Sequence, residues 1–112
     1  MKGRMVPPAS NPGLAAIAAE HDRIVAFCRR HHVVRLSVFG SVVREDFRPE
    51  SDIDLLADFE PGHVPGLIRL AGMEIELGEI LGRKVDLLTP MSISPFFRER
   101  VLKEALPLHD AA

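Results

Sequence analysis

Gly40-Ser41 closes an apolar run, and ten residues later Asp52 and Asp54 stand one residue apart at the head of another, Ile53 to Phe59. A further acid, Asp86, sits among Val85, Leu87 and Leu88. A carboxylate taken out of water must be paired or coordinated, so acids set into apolar runs ask for a cation. On a strand Asp52 and Asp54 share one face, roughly 7 Å apart by strand rise. Like charges that close repel unless something positive lies between them, and an oxygen-seeking divalent ion, Mg2+ or Mn2+, is the natural resolution. With Asp86 as a third ligand the set becomes a clamp for two metal ions. Gly40 and Ser41 form the anion end of the same site. Backbone N–H groups that open a short helix can face a phosphate, glycine allows close approach, and the serine hydroxyl is a further donor. Arg44, one turn on, can reach the same anion. Asp58 shares the parity of Asp52 and Asp54 but lies farther along, and reads as a charge at the far end of the strand.

The elements that must hold these residues follow from the apolar periodicity. Asn11-Pro12 is a helix start. Leu14, Ile17, Ala18, His21, Ile24, Val25 and Cys28 then follow at helical spacing, to a stop near Arg29 to His32. His31-His32 suits the negative end of a helix dipole; a metal role for that pair needs ligands elsewhere, to which the sequence does not point. Val33 to Phe39 is rich in β-branched and aromatic residues and predicts a strand. Ser41 to Asp46 predicts a short helical turn, broken at Arg48 to Ser51. Ile53 to Phe59 predicts a second strand, followed by a loop to Pro65-Gly66. Leu67, Leu70, Met73, Leu77, Ile80 and Leu81 form a helical stripe stopped at Gly82. Val85 to Leu88 predicts a third strand. Ser94-Pro95 opens a last helix through Ala105, which Pro107 stops. The Phe96-Phe97 pair reads as core or interface, with core preferred.

The order α-β-α-β-α-β-α predicts an α/β fold, a small mixed β-sheet flanked by helices. The link between the first two strands is barely long enough for a parallel crossover, hence the mixed sheet. Residues 1–11 read as a flexible tail without the apolar core of an export signal, and residues 12–109 as one domain. Apolar residues make up 46% of the chain and charged residues 27%, an ordinary globular balance, and no run approaches a bilayer span. One cysteine, Cys28, excludes an intrachain disulfide and fits a reducing cytoplasm; on the apolar stripe it reads as a buried, inert thiol. Net charge is −2, Tyr and Trp are absent and no basic block occurs. Long nucleic acid is therefore disfavoured as the main substrate.

The conjunction GS-x10-D-x-D with a later strand acid resembles the signature of the DNA polymerase beta-like nucleotidyltransferase superfamily, and the chain looks like its smallest branch, the minimal nucleotidyltransferase (MNT) domain proteins. The likeness runs from the first helix onward and includes RKVDLLTP, Arg83 to Pro90, and RERVLKEALPL, Arg98 to Leu108. It implies a nucleotidyltransferase fold, with ATP held through its triphosphate and two Mg2+ ions. Gly40 and Ser41 would then hold the triphosphate, with Arg44 beside them. Asp52, Asp54 and Asp86 would ligate Mg2+, and Asp86 would help deprotonate the acceptor hydroxyl. Proteins of this branch are commonly antitoxins encoded beside a HEPN-domain ribonuclease toxin, which they silence by transferring AMP to a tyrosine. The resemblance thus implies a cytoplasmic protein adenylyltransferase. Two alternatives stand beside it: a non-catalytic binding module that neutralises its partner by occlusion, and a small-molecule nucleotidyltransferase, disfavoured because 112 residues leave no room for an acceptor-binding domain.

Overall fold

The computed structural model describes residues 12–40 and 52–111, arranged as a four-stranded mixed sheet with flanking helices. Helices α1 (Pro12–Ala19) and α2 (His21–Arg30) lead into β1 (Val33–Phe39). Strand β2 (Ile53–Phe59), helix α3 (Leu67–Leu81) and strand β3 (Val85–Leu88) follow. A 3-10 turn at Pro90–Ser92 precedes α4 (Pro95–Glu104) and β4 (Leu106–Asp110). The sheet order is β3-β2-β1-β4; β2 and β3 are parallel, and β1 is antiparallel to both β2 and β4.

Strand parity builds the core on one face. Leu36 and Val38 pair with Ala57 and Leu55, and these four join Ile53, Val85 and Leu87 in one buried cluster. Against them pack Leu14 and Ile17 of α1, Ile24, Phe27 and Cys28 of α2, and Met73, Leu77, Ile80 and Leu81 of α3. The burial of Cys28 pushes its thiol up to about 12, so it is a packed apolar group and not a nucleophile. Helix α3 ends where Gly82 takes the left-handed conformation at φ 67 and its N–H reaches the Gly78 carbonyl at 2.8 Å.

The mixed sheet and the bounds of β1, β2, α3 and β3 agree with the sequence reading, which differs from the structure in three places. The first predicted helix is two helices, broken at Glu20. A continuous helix would keep His21 and Val25 inward; the break turns α2 so that Phe27 is fully buried, while His21 is exposed and Val25 only half-buried. The second difference is β4, which stands where the sequence reads only a helix stop. Pro107 lies on this edge strand, where a residue without an N–H is tolerated, and pairs with Ser37 beside a bulge between Leu36 and Ser37. Leu106 and Leu108 pack on the core, and Arg35 bonds Asp110 at 3.3 Å. The third is the Phe96-Phe97 pair, expected in the core: Phe96 is 93% exposed and Phe97 57%. Helix α4 has no buried residue and turns only Arg98 and Val101 partly inward. The turn expected over Ser41 to Asp46 and the tail at 1–11 lie outside the described residues.

No helix among the described residues is long and apolar enough to cross a membrane. The outer edge of β3 is covered, because the Leu87 N–H donates to Glu74 Oε2 at 2.7 Å. Helices α2 and α3 are tied through Glu76, which accepts from Arg30 and lies 3.0 Å from His31 Nε2. Burial by itself would raise the Glu76 carboxyl, but the hydrogen bonds and charges of Arg30 and His31 hold it below its ordinary value of 4.5.

Two measurements check this packing. Leu36→Ala should cost about 2–5 kcal/mol in urea unfolding, the usual range for emptying a fully packed leucine site. Glu76 has a lowered folded value, so its contribution is complete above the unfolded carboxylate value and is lost as pH falls through the folded one. The urea midpoints of wild type and Glu76→Gln should therefore converge as pH is taken from above 4.5 to well below it.

Candidate active site

Three neighbouring strands bring Gly40, Asp54 and Asp86 to one end of the sheet. Phe39 at the end of β1 pairs with Asp54 on β2, and Asp54 pairs with Asp86 on β3. Paired positions on adjacent strands lie roughly 5 Å apart with their side chains on the same face. Asp54 and Asp86 are thus side by side, on the face opposite Ile53, Leu55, Val85 and Leu87. Asp52 precedes β2 with the parity of Asp54. Its Oδ2 lies 3.8 Å from Lys84 Nζ, and the Ile53 N–H donates to the Lys84 carbonyl at 3.0 Å. All three acids are half-buried. The register sets Asp54 and Asp86 off the core face, and Asp52 lies just outside the paired residues.

Gly40 stands against this pair in a conformation that asks for glycine. Its φ is +79, and a Cβ there would overlap Asp54 Oδ2 and lie 3.2 Å from Asp54 Cγ. The backbone after β1 therefore runs directly against the Asp54 carboxylate, which occupies the space that a side chain on residue 40 would need. Ser41 and Arg44, read from the sequence as partners of the same anion, lie outside the described residues.

The acid-bearing face closes farther along the strands. Leu56, next inward from Asp54 on that face, is 3% exposed, and its partner Ser37 is 4% exposed. Ile93, at the end of the 3-10 turn, is also buried. Arg98 braces this turn, donating from Nε to the Pro90 carbonyl at 2.8 Å and from Nη2 to the Ile93 carbonyl at 3.0 Å. Asp58 sits opposite Arg35, away from the other acids, as the sequence reading has it. The acids thus form a polar end on an otherwise packed face.

The donor chemistry fits an oxygen-seeking divalent cation. Asp54 and Asp86 are carboxylates held side by side, with Asp52 close to Asp54 in the chain, and the lack of a side chain on Gly40 lets its backbone approach the Asp54 oxygen. A site of this type can gather a polyphosphate and an attacking oxygen around shared positive charge. A second group of ionisable side chains, His32, Glu60 and His63, was missed by the sequence reading. Glu60 to His63 has the composition of a plain turn, and only the antiparallel pairing of β1 with β2 carries His32 to it.

Comparison with known proteins places relatives around this geometry. The family model for the nucleotidyltransferase domain matches residues 21–109. A protein of Methanocaldococcus jannaschii assigned as a protein adenylyltransferase is 40% identical over 84 residues, which is 75% of this chain and 88% of that protein. A solved structure assigned as a minimal nucleotidyltransferase superposes with a TM-score of 0.70 at 39% identity, covering 83% of this chain and 93% of the other. The fold also recurs in a structure of a tri-AMPylated HEPN toxin from Shewanella oneidensis in complex with an MNT antitoxin. That likeness has a TM-score of 0.62 at 19% identity and covers 84% of this chain and 72% of the matched one.

Gly40→Ala tests the close approach. A left-handed alanine costs about 1–2 kcal/mol, and the added methyl must push the Asp54 carboxylate aside. The variant should stay folded, with a urea stability loss in that range. In melting scans with and without Mg2+, the wild type should be stabilised by the ion and the variant should not.

Proposed function

The chain belongs to the nucleotidyltransferase domain family and is a nucleotidyltransferase, and on that premise we propose that it is an antitoxin that transfers AMP from ATP to a tyrosine of a HEPN-domain ribonuclease toxin. The single observation that carries this reading is the register Phe39–Asp54–Asp86, with the Gly40 backbone against Asp54. The name borne by the M. jannaschii relative, protein adenylyltransferase, supports the reaction class. The toxin–antitoxin complex that shares the fold supports the partner class.

Asp52, Asp54 and Asp86 would hold Mg2+, two ions on this reading, and Gly40 and Ser41 would bind the triphosphate of ATP, with Arg44 as a further partner of that anion. When bound, Mg2+ supplies charge neutralisation for the phosphates and acidifies the acceptor hydroxyl. The tyrosine oxygen attacks the α-phosphorus, the new O–P bond forms, and the bond to the β-phosphate oxygen breaks to release diphosphate. Asp86 is the carboxylate positioned to take the phenolic proton. Asp54, fixed between Phe39 and Asp86 by the sheet, orients the site, and most of the rate comes from positioning and electrostatics.

A protein acceptor suits the surface of this chain. Met91 and Phe96 are 80% and 93% exposed, and Phe97 and Leu102 are also exposed along α4. Large apolar side chains in such number offer an area for a partner to cover. The toxin would be encoded beside this chain, and the setting would be the cytoplasm, where ATP and Mg2+ are supplied.

The test uses α-labelled ATP, Mg2+, this protein and the HEPN-domain product of the neighbouring gene. Label should move to a tyrosine of the partner, and Asp54→Asn or Asp86→Asn should slow the transfer by about 100-fold or more. If no label moves and the Asp54→Asn variant still neutralises the partner, the transfer reading fails and occlusion replaces it.

A further inference from the structure

The end of the β1–β2 ribbon remote from the acids carries its own set of ligating side chains. His32 immediately precedes β1 and Glu60 immediately follows β2, and the pairing of Val33 with Phe59 sets them side by side. The backbone fixes all three residues. The Glu60 N–H donates to the His32 carbonyl at 3.0 Å, and the His63 N–H donates to the Glu60 carbonyl at 2.9 Å across a turn in which Gly62 has φ +84. The imidazoles of His32 and His63 stack with centroids 3.8 Å apart and planes 17° from parallel. His32 Nδ1 lies 3.7 Å from Glu60 Oε1. One nitrogen or oxygen from each of the three residues lies within 4.8 Å of the others.

His32 is also in an uncommon conformation. At φ 58 it is the non-glycine residue of positive φ among those described, just after the end of α2. Glycine or asparagine is the low-cost choice there, yet the chain places an imidazole, aimed at the Glu60–His63 turn. A simple ion pair with Glu60 would require a protonated His32 stacked on a second imidazole. One cation shared by the two rings and the carboxylate satisfies all three groups at once.

We propose that His32, Glu60 and His63 form a binding site for a divalent transition cation of the zinc class, separate from the Mg2+ expected at the acids. Two imidazole nitrogens with one carboxylate oxygen favour Zn2+ and its neighbours over Mg2+, which prefers oxygen ligands alone. Ligand atoms around tetrahedral zinc stand roughly 3.4 Å apart, from Zn–N and Zn–O lengths near 2.0–2.1 Å. Closing the set requires each ligand atom to move by about 1 Å and the near-parallel rings to tilt apart so that both in-plane lone pairs meet one ion, a rearrangement open to these partly or fully exposed side chains. Three protein ligands leave the fourth position to water. Along β1 the site is roughly 26 Å from Gly40 by strand rise, so the two sites load independently.

The experiment titrates the chelator-stripped full chain with Co2+ and then Zn2+ in excess Mg2+, following the Co2+ visible absorption and its displacement. One equivalent should bind despite the Mg2+. Its affinity should fall at least ~10-fold in His63→Ala and in His32→Asn, and stay unchanged in Asp54→Asn. Asparagine tolerates positive φ, so an unaltered melting temperature for metal-free His32→Asn separates loss of a ligand from loss of the fold. Absence of the Mg2+-resistant equivalent overturns the proposal. So does an equivalent that both histidine variants retain, or one that Asp54→Asn removes.

Discussion

Two carboxylates held on adjacent strands at the same level of a sheet are the constraint around which this structure is organised. Asp54 and Asp86 lie on different strands, so their closeness is set by the register of the sheet. What holds them is the apolar face behind them: Ile53 against Val85 and Leu55 against Leu87, each pair in register and buried. A slip of one residue between β2 and β3 would turn that apolar set outward and send the acids into the core. The hydrophobic face thus fixes the geometry of the polar one.

The same economy runs through the other strands. Antiparallel pairing of β1 with β2 sets Phe39 beside Asp54 and carries Gly40 against its carboxylate. At the opposite end it sets His32 beside Glu60. One two-stranded ribbon therefore carries a carboxylate at one end and two imidazoles with a carboxylate at the other. The edges are closed by different means. Glu74 covers β3 with a side-chain acceptor, and β4, with its proline and bulge, is the outer strand beyond β1.

Much of this was legible before the fold was known, and the failures have physical causes. Strands β1, β2 and β3 and helix α3 are bounded in the sequence by strong stops such as Gly82 and Thr89-Pro90, so local signals suffice. Strand β4 is five residues, LPLHD, with a proline inside; its partner Val33–Phe39 is some 70 positions earlier in the chain. Glu20 breaks the first helix with no proline or glycine to announce it, because the break serves the burial of Phe27. Phe96 and Phe97 read as core by type, yet α4 packs too lightly on the sheet to cover them.

The sequence alone determined the residue types, the alternation that keeps Asp52 and Asp54 off the apolar face, and the glycine that precedes them. Those are local properties, set by side-chain chemistry and the two-residue period of a strand. Only the tertiary structure decided that Asp86 stands beside Asp54, that Gly40 presses on its carboxylate, and that His32 meets Glu60 and His63. Each of these is a pairing between distant segments, and register is chosen by burying one continuous apolar face across all the strands at once.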